Sequence, residues 1–288
     1  MEEQMIQIAG TTFQPQDNWP LEHMEKAILQ YMHDDHNIFS YPSLEELQFE
    51  IRMRKNIING AKEMNETEAQ FTIFEQARCN PAYWQLTIAG GFLLRSDVQP
   101  SDAIMDIYKN SSLYAFECAT ASVIVYYYAT LQTIGKNLFN AYFQNLYLYS
   151  WHVDTDLGLV TFHSSSFLPG DIVYFENPDF DLTTPWFRGL NAIMLEDGRF
   201  FGHGFSIKTN QEITQVLNKR RIPGSNRSAV LTSLVTRPSF TKLSRLAKGQ
   251  TRSIAFKPQL PVVHHNYSSI STQRYQKYLL HLGYLFKG

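Results

Sequence analysis

Apolar positions recur at helical spacing through the first half of the chain and in short alternating runs through the second. Leu21, Met24, Ile28 and Tyr31/Met32 predict a short amphipathic helix over 20–33, with Pro20 near its start. The residues before it, 1–18, show no period and read as a loosely held arm. Ser43 followed by Glu46 is a capping-box pair, and Leu44, Leu47, Ile51 and Ile58 carry a helix from there to about Gly60. Further helices are expected over 63–77, from Pro100 through Ile107, and near 136–147 after the break at Gly135. The run from Cys118 to Leu131 (CATASVIVYYYATL) is apolar all round, which predicts a helix buried on every side.

After Trp151 the period shortens. Strands are expected at 157–162, 172–175, 190–195 and 199–207. They are separated by Pro169-Gly170-Asp171, Asn177-Pro178-Asp179 and Glu196-Asp197-Gly198, the last a hairpin turn. Asn210 is placed to cap a helix through Leu217, whereas 227–288 is rich in Ser and Thr with few clear elements. Its final YQKYLLHLGYLF is the one piece expected to bury apolar surface. Helices first and an antiparallel sheet after make the fold α+β.

Composition narrows the class. The chain has 288 residues, enough for one large core or two modest ones. With 44% apolar and 18% charged residues it is neither disordered nor fibrous, and 16 Tyr with 20 Phe imply a dense core or an aromatic-lined cleft. Two cysteines, Cys79 and Cys118, are too few for a disulfide scaffold or a cysteine zinc site. The first residues show no basic stretch followed by an apolar run, and the longest nearly apolar segment is too short for a bilayer. A soluble protein made in the cytoplasm, with no membrane partner, is expected.

The charge is divided along the chain. Residues 1–212 hold all 27 acidic side chains and 12 Lys or Arg, a balance of −15, while 213–288 hold 13 Lys or Arg and no acid. The basic part is therefore expected to dock on the acidic body or to hold an anionic partner. It has no zinc-finger, basic-zipper or RNP pattern, so no specific nucleic-acid binding is expected. The cluster His33-Asp34-Asp35-His36 reads as a polar surface loop, because nothing in the pattern fixes ligand geometry for a metal.

Cys118 opens the buried helix, where free N–H groups and the helix dipole favour a thiolate. A nucleophilic thiol needs a base, and His203 on the second strand of the predicted hairpin is the candidate. Gly202 and Gly204 leave it room, and alternation sets Phe201, His203 and Phe205 on one apolar face. A helix-borne thiol facing a sheet-borne histidine is the arrangement of papain-like enzymes. The plainer alternative is a small core cysteine and a satisfied core histidine, and spacing alone leaves both open. Cys79 lies beside Asn80-Pro81 with no capped helix behind it.

Longer motifs add a resemblance. YAFECATASVIV at 114–125, NLYLYSWHVDTDLGL at 145–159, LPGDIVYFENP at 168–178 and GLNAIMLEDGRFFGHG at 189–204 carry it. FTIFEQARCNPAYW at 71–84 and GGFLLRSDVQPSDAIMDIYKN at 90–110 extend it. In this order they resemble the protein-glutamine gamma-glutamyltransferases (transglutaminases) of the spore coat in Bacillus and its relatives. The resemblance runs from about Tyr41 to Leu234. It divides the chain into an N-terminal arm and helix (1–40), a core (41–234) and a basic C-terminal extension (235–288). It implies a papain-like α+β core of NlpC/P60 type, with Cys118 and His203 catalytic, Glu117 assisting, and no calcium or other cofactor. It also implies protein substrates, spore-coat proteins, joined through glutamine and lysine side chains in the sporulating cell.

One position departs from that family. A glutamate that orients the imidazole is expected 13 residues before the histidine, and this chain has Leu190 there. Leucine accepts no hydrogen bond. Glu196 and Asp197 are expected to face solvent in their turn, and Asn191 to point to the face opposite Leu190. Glu117 is then the carboxylate left to orient His203, although its charge opposes a thiolate beside it. A weak or inactive structural coat protein and a Cys-His amide hydrolase therefore stand as alternatives to the transferase. Backbone N–H at the helix start supplies half an oxyanion hole, and the sequence names no second donor. Trp151, Trp186, Phe187 and Phe201 are candidates for a channel lining or for plain core packing.

Overall fold

In a computed structural model, which describes residues 6–13, 19–249, 262–265 and 268–271, the apolar helix is the centre of the molecule. The described helices are α1 (His23–His33), α2 (Leu44–Asn65), α3 (Pro100–Lys109), α4 (Cys118–Ile134), α5 (Lys136–Tyr142), α6 (Asn210–Asn218) and α7 (Phe240–Ala247). Every residue of α4 from Ala119 to Leu131 is buried, as its unbroken apolar sequence requires. Gly135, at φ +82, ends α4 and starts α5 in a conformation that a side chain would disfavour.

A six-stranded antiparallel sheet covers one side of α4. Its strands are β1 (Val160–His163), β2 (Ile172–Glu176), β3 (Gly189–Met194), β4 (Phe200–Gly202), β5 (Ser206–Lys208) and β6 (Val230–Arg237), in the order β5-β4-β3-β2-β6-β1. Alternation gives the sheet two apolar faces. Ile172, Ile193 and Phe201 join the core shared with α2 and α4, while Val173, Phe175, Leu190, Ala192, Met194 and Phe200 pack with Ile213 and Leu217 of α6. The Tyr126 hydroxyl pins α4 to the sheet: it accepts from Ile172 N–H at 3.1 Å and lies 2.9 Å from the Thr236 carbonyl. The architecture is mixed α+β with antiparallel sheets, as the pattern of elements predicts.

Several elements differ from the sequence reading. No helix spans 63–77. α2 continues to Asn65, and Gln70–Phe71 then pairs in parallel with Ala115–Phe116, so the N–H groups of Gln70 and Thr72 bond the carbonyls of Tyr114 and Phe116. Tertiary pairing overrides the helical pattern there, and it braces the approach to Cys118. The segment Val230–Arg237 is an inner strand. Its threonines hide the alternation but are satisfied: Thr232 Oγ1 donates to the Tyr174 carbonyl and Thr236 Oγ1 meets Thr161 Oγ1 at 2.8 Å. Of the expected loose arm, Ile6–Ile8 pairs in parallel with Phe39–Tyr41, and α1 packs on α2. Val262–His265 and Ser268–Ser271 form an antiparallel pair. The expected apolar piece YQKYLLHLGYLF and most of 235–288 lie outside the described residues.

Candidate active site

The start of α4 is built by Glu117. This residue has extended backbone (φ −88, ψ 171), and its carboxylate turns back over the first turn. Oε2 accepts from Ala119 N–H at 2.7 Å, and Oε1 accepts from Thr120 N–H at 2.7 Å and from the Thr120 hydroxyl at 2.8 Å. Thr120 Oγ1 in turn accepts from the N–H of Ser150, a buried residue held at φ +49. Among the described residues, the N–H of Cys118 is the one of the first three that meets no acceptor. Two of the three donors expected to favour a thiolate are therefore engaged by a neighbouring carboxylate.

The electrostatics follow. Burial and the adjacent Glu117 charge push the Cys118 thiol up to about 12, opposed by donors on Asn191. Burial also raises the Glu117 carboxyl, partly offset by the bonds from Ala119 and Thr120. The resting group at neutral pH is a thiol, which corrects the expectation of a thiolate from helix position alone. Cys79 is half-buried, and its thiol is raised to about 11 by burial.

Asn191 is the residue that sequence reasoning missed. Its Nδ2 donates to Cys118 Sγ at 3.6 Å, within range for a sulfur acceptor. Alternation does set Asn191 opposite Leu190, as expected. That opposite face, shared with Ile193, is the one turned toward α4. The signal was present in GLNAIML, where one amide interrupts an apolar strand, because a buried polar group needs a partner.

His203 does not sit on a strand. β4 ends at Gly202, and a tight turn follows in which Phe205 N–H bonds the Gly202 carbonyl at 2.8 Å and Gly204 has φ +82. Phe201 and Phe205 consequently part company: Phe201 enters the α4 core, while Phe205 packs with the α6 face. The imidazole stacks on Phe116 with ring centres 4.7 Å apart and planes 23° apart, and Phe71 lies 6.2 Å away. Phe71 also closes over Gly204, where a Cβ would come within 2.8 Å of it. Burial lowers the imidazole to about 4, opposed by the nearby carbonyls of Gln70 and Phe116. Its Nε2 is buried without a hydrogen-bond partner among the described residues.

Phe116 stacks on His203 and lies two residues before Cys118, so the imidazole packs on the segment that leads into α4. The β3–β4 ladder stops at Ile193 opposite Phe201, and its register, if continued, would set Asn191 opposite His203. Among the described residues no hydrogen bond links His203 to Cys118 or to Glu117. Glu117 is therefore a helix cap beside the thiol, and its oxygens are engaged away from the imidazole.

The remaining candidates fall in different places. Leu190 is buried among the α6-face residues, with its side chain against Gly202 and Cys118 at the edge of the same cluster. Glu196 does not face solvent as expected: it is mostly buried and pairs with Lys62 of α2, while Asp197 pairs with Arg199. Trp151 and Phe201 are core residues, whereas Trp186 is exposed and Phe187 carries Arg220 over its ring at 4.8 Å. In the His33–His36 loop, Asp35 accepts from Asn37 N–H and from the Ser166 hydroxyl. No helix among the described residues is long and apolar enough to cross a membrane.

Comparison with known proteins extends this picture. Residues 5–247 match the family model described as protein-glutamine gamma-glutamyltransferase, a span that begins before and ends beyond the motifs noted above. A protein-glutamine gamma-glutamyltransferase of Halalkalibacterium halodurans is 53% identical, over 96% of this chain and 98% of its own length. One from Bacillus mycoides is 42% identical over 83% of this chain and 87% of its own. The solved structure of a transglutaminase from Geobacillus stearothermophilus, without its C-terminal extension, superposes with a TM-score of 0.69 at 48% identity, covering 71% of this chain and 98% of that one.

Proposed function

Because this chain belongs to the protein-glutamine gamma-glutamyltransferase family, we propose that it joins protein glutamine and lysine side chains through a thioester on Cys118, with spore-coat proteins as its substrates. The core is read as papain-like and of NlpC/P60 type, a thiol-bearing helix on an antiparallel sheet. One observation carries the reading. Cys118 is the first residue of a capped helix, with its own N–H left over, one stacked phenylalanine away from a buried imidazole.

With the thiol near 12 and the imidazole near 4, the resting pair is neutral. His203 then acts as a general base during attack and not as half of a standing ion pair. It takes the thiol proton as Sγ bonds to the glutamine carboxamide carbon, and the oxygen gains its charge beside Cys118 N–H. The imidazolium returns that proton to the amide nitrogen, the C–N bond breaks, and ammonia leaves a gamma-glutamyl thioester. A neutral lysine amine attacks the thioester and loses its proton through His203 to the departing sulfur, which leaves an isopeptide bond and the thiol. Water at that stage would deamidate the glutamine, so the site must exclude it. Glu117 caps the helix, and its charge keeps the thiol protonated until substrate arrives. Leu190 offers His203 no acceptor, which places turnover below that of a site with a carboxylate there.

The test is incorporation of a fluorescent primary amine into a glutamine-containing protein. Wild type incorporates it, Cys118→Ala abolishes incorporation while keeping the fold, Cys79→Ala retains it, and Leu190→Glu raises the rate. Equal incorporation by wild type and Cys118→Ala would overturn the nucleophile, and ammonia release without incorporation would indicate a hydrolase.

A further inference from the structure

We infer that Asn191 is a catalytic residue of this site, its side-chain amide being the second donor for the oxyanion formed when Cys118 is acylated. The inference rests on the reading of Cys118 as an acyl-accepting nucleophile. Three observations carry it. The amide reaches the reacting atom itself, Nδ2 lying 3.6 Å from Sγ. Asn191 is buried on an inner strand whose neighbours Leu190, Ala192, Ile193 and Met194 are all apolar, a place where an amide is costly without a function. And the β3–β4 ladder covers Ile193 and Met194 and stops short of Asn191, which pairs with Tyr174 of β2 on its other side, so the strand is held in place while its amide reaches the thiol.

The site offers one donor from the helix and one from the sheet. Cys118 N–H comes from the helix, and the first-turn donors Ala119 and Thr120 are already bonded to Glu117. A helix start therefore supplies a single free donor here, where an acyl-transfer site needs two. Asn191 comes from the sheet. In the tetrahedral adduct, Sγ has formed its bond to the acyl carbon and the carbonyl π pair has moved onto oxygen. That oxygen is bonded to the same carbon as Sγ, so a donor resting against the sulfur has only a short shift to reach it. As His203 takes the thiol proton, the S–H electron pair becomes the C–S bond and the negative charge develops on the oxygen, so the amide's hydrogen bond moves to where the charge appears. Nδ2 keeps its protons throughout.

Two reactions of Cys118 separate this role from mere support of the sulfur. Acylation by p-nitrophenyl acetate forms an oxyanion. Alkylation by iodoacetamide displaces iodide directly and forms none. The pre-steady-state p-nitrophenolate burst and the alkylation rate are measured on wild type, Asn191→Ala and Asn191→Ser, with circular dichroism melting to confirm folding. The burst rate should fall at least tenfold more than the alkylation rate, and kcat for glutamine should fall about 10²–10³-fold with little change in KM. A burst that is unchanged, or that falls by the same factor as alkylation, would overturn the assignment. Two variants guard against a fold lost to one substitution. The ester probe needs no glutamine, so a wild type that acylates but incorporates no amine would fail the transglutaminase reading and still test Asn191.

Discussion

His203 exchanges hydration for a stack on Phe116, and the exchange has a pH signature. Burial lowers its imidazole from 6.5 to about 4, so the folded state resists a proton that the unfolded chain accepts. Between these values the unfolded state binds more protons, and stability rises with pH. The contribution is complete above about pH 6.5, declines as the pH falls, and is gone near pH 4. A displacement of that size is worth about 3 kcal/mol. By urea unfolding, wild type should lose about 3 kcal/mol more unfolding free energy than His203→Gln between pH 7 and pH 4. Parallel curves would show that the imidazole is not held neutral by burial. Asn191 and Leu190, adjacent in sequence, illustrate how far one strand position matters: the amide meets the thiol, and the leucine fills the α6 face.

At the scale of the element, the first turn of α4 sets the reactivity of the thiol. Its capping carboxylate belongs to the residue before the nucleophile, so the group that organises the helix also opposes ionisation of Cys118. Thr120 carries the arrangement outward, donating to Glu117 and accepting from Ser150 N–H, which ties the strained 149–152 loop to the same turn. Replacing the carboxylate with an amide removes the charge and one acceptor. Glu117→Gln should make alkylation of Cys118 at pH 8 at least about tenfold faster, since removing a nearby negative charge favours the thiolate. It should cost about 1 kcal/mol of stability through the weaker cap. Stopped alkylation time courses and urea midpoints on the same preparation check both. Unaltered alkylation would mean that burial alone holds the thiol protonated.

Across the whole molecule, the acidic body and the basic later residues meet through specific pairs. Arg227 pairs with Asp179, Arg237 with Asp171 at 2.6 Å, Lys242 with Asp156 at 3.2 Å and Lys248 with Glu45 at 2.8 Å. The described part of the basic segment thus docks internally, with α7 anchored by Phe240, Leu243 and Leu246 in the core. The most buried charges lie where helices and sheet join. Arg54 is fully buried, bonds Glu50 at 2.9 Å and Asp171 at 3.0 Å, and carries the Phe240 ring at 4.6 Å. Tyr41 donates to Glu50, which completes the link from the strand before α2 to β2 and α7. Arg54→Met should cost about 3–5 kcal/mol, because it removes the buried cation from two buried carboxylates and leaves Glu50 with Tyr41, and Asp171 with Arg237 and Leu168 N–H. Urea unfolding measures it, and a loss below about 1 kcal/mol would show that the network is hydrated and adaptable.

Much of this protein was determined by local pattern. The unbroken apolar run made α4 a buried helix, turn chemistry at Glu196-Asp197-Gly198 made the β3–β4 hairpin, and the helix start and the glycine-flanked position singled out Cys118 and His203, with Glu117 added by the family resemblance alone. These features depend on residues a few positions apart, where side-chain volume, hydrophobic period and φ preference act directly. What only the tertiary structure decided depends on partners far along the chain. Gln70–Phe71 became a strand because Ala115–Phe116 offered it hydrogen bonds, and the Ser- and Thr-rich Val230–Arg237 became an inner strand because β1 and β2 accept its polar groups. The identity of the face turned to Cys118 was of this kind too. Alternation separates Leu190 from Asn191, but only the packing of α4 on β3 determines which of them lies against the sulfur. The protonation of the site followed the same rule: a helix start favours a thiolate in isolation, and burial beside Glu117 reverses it, since desolvation and a like charge outweigh one free N–H.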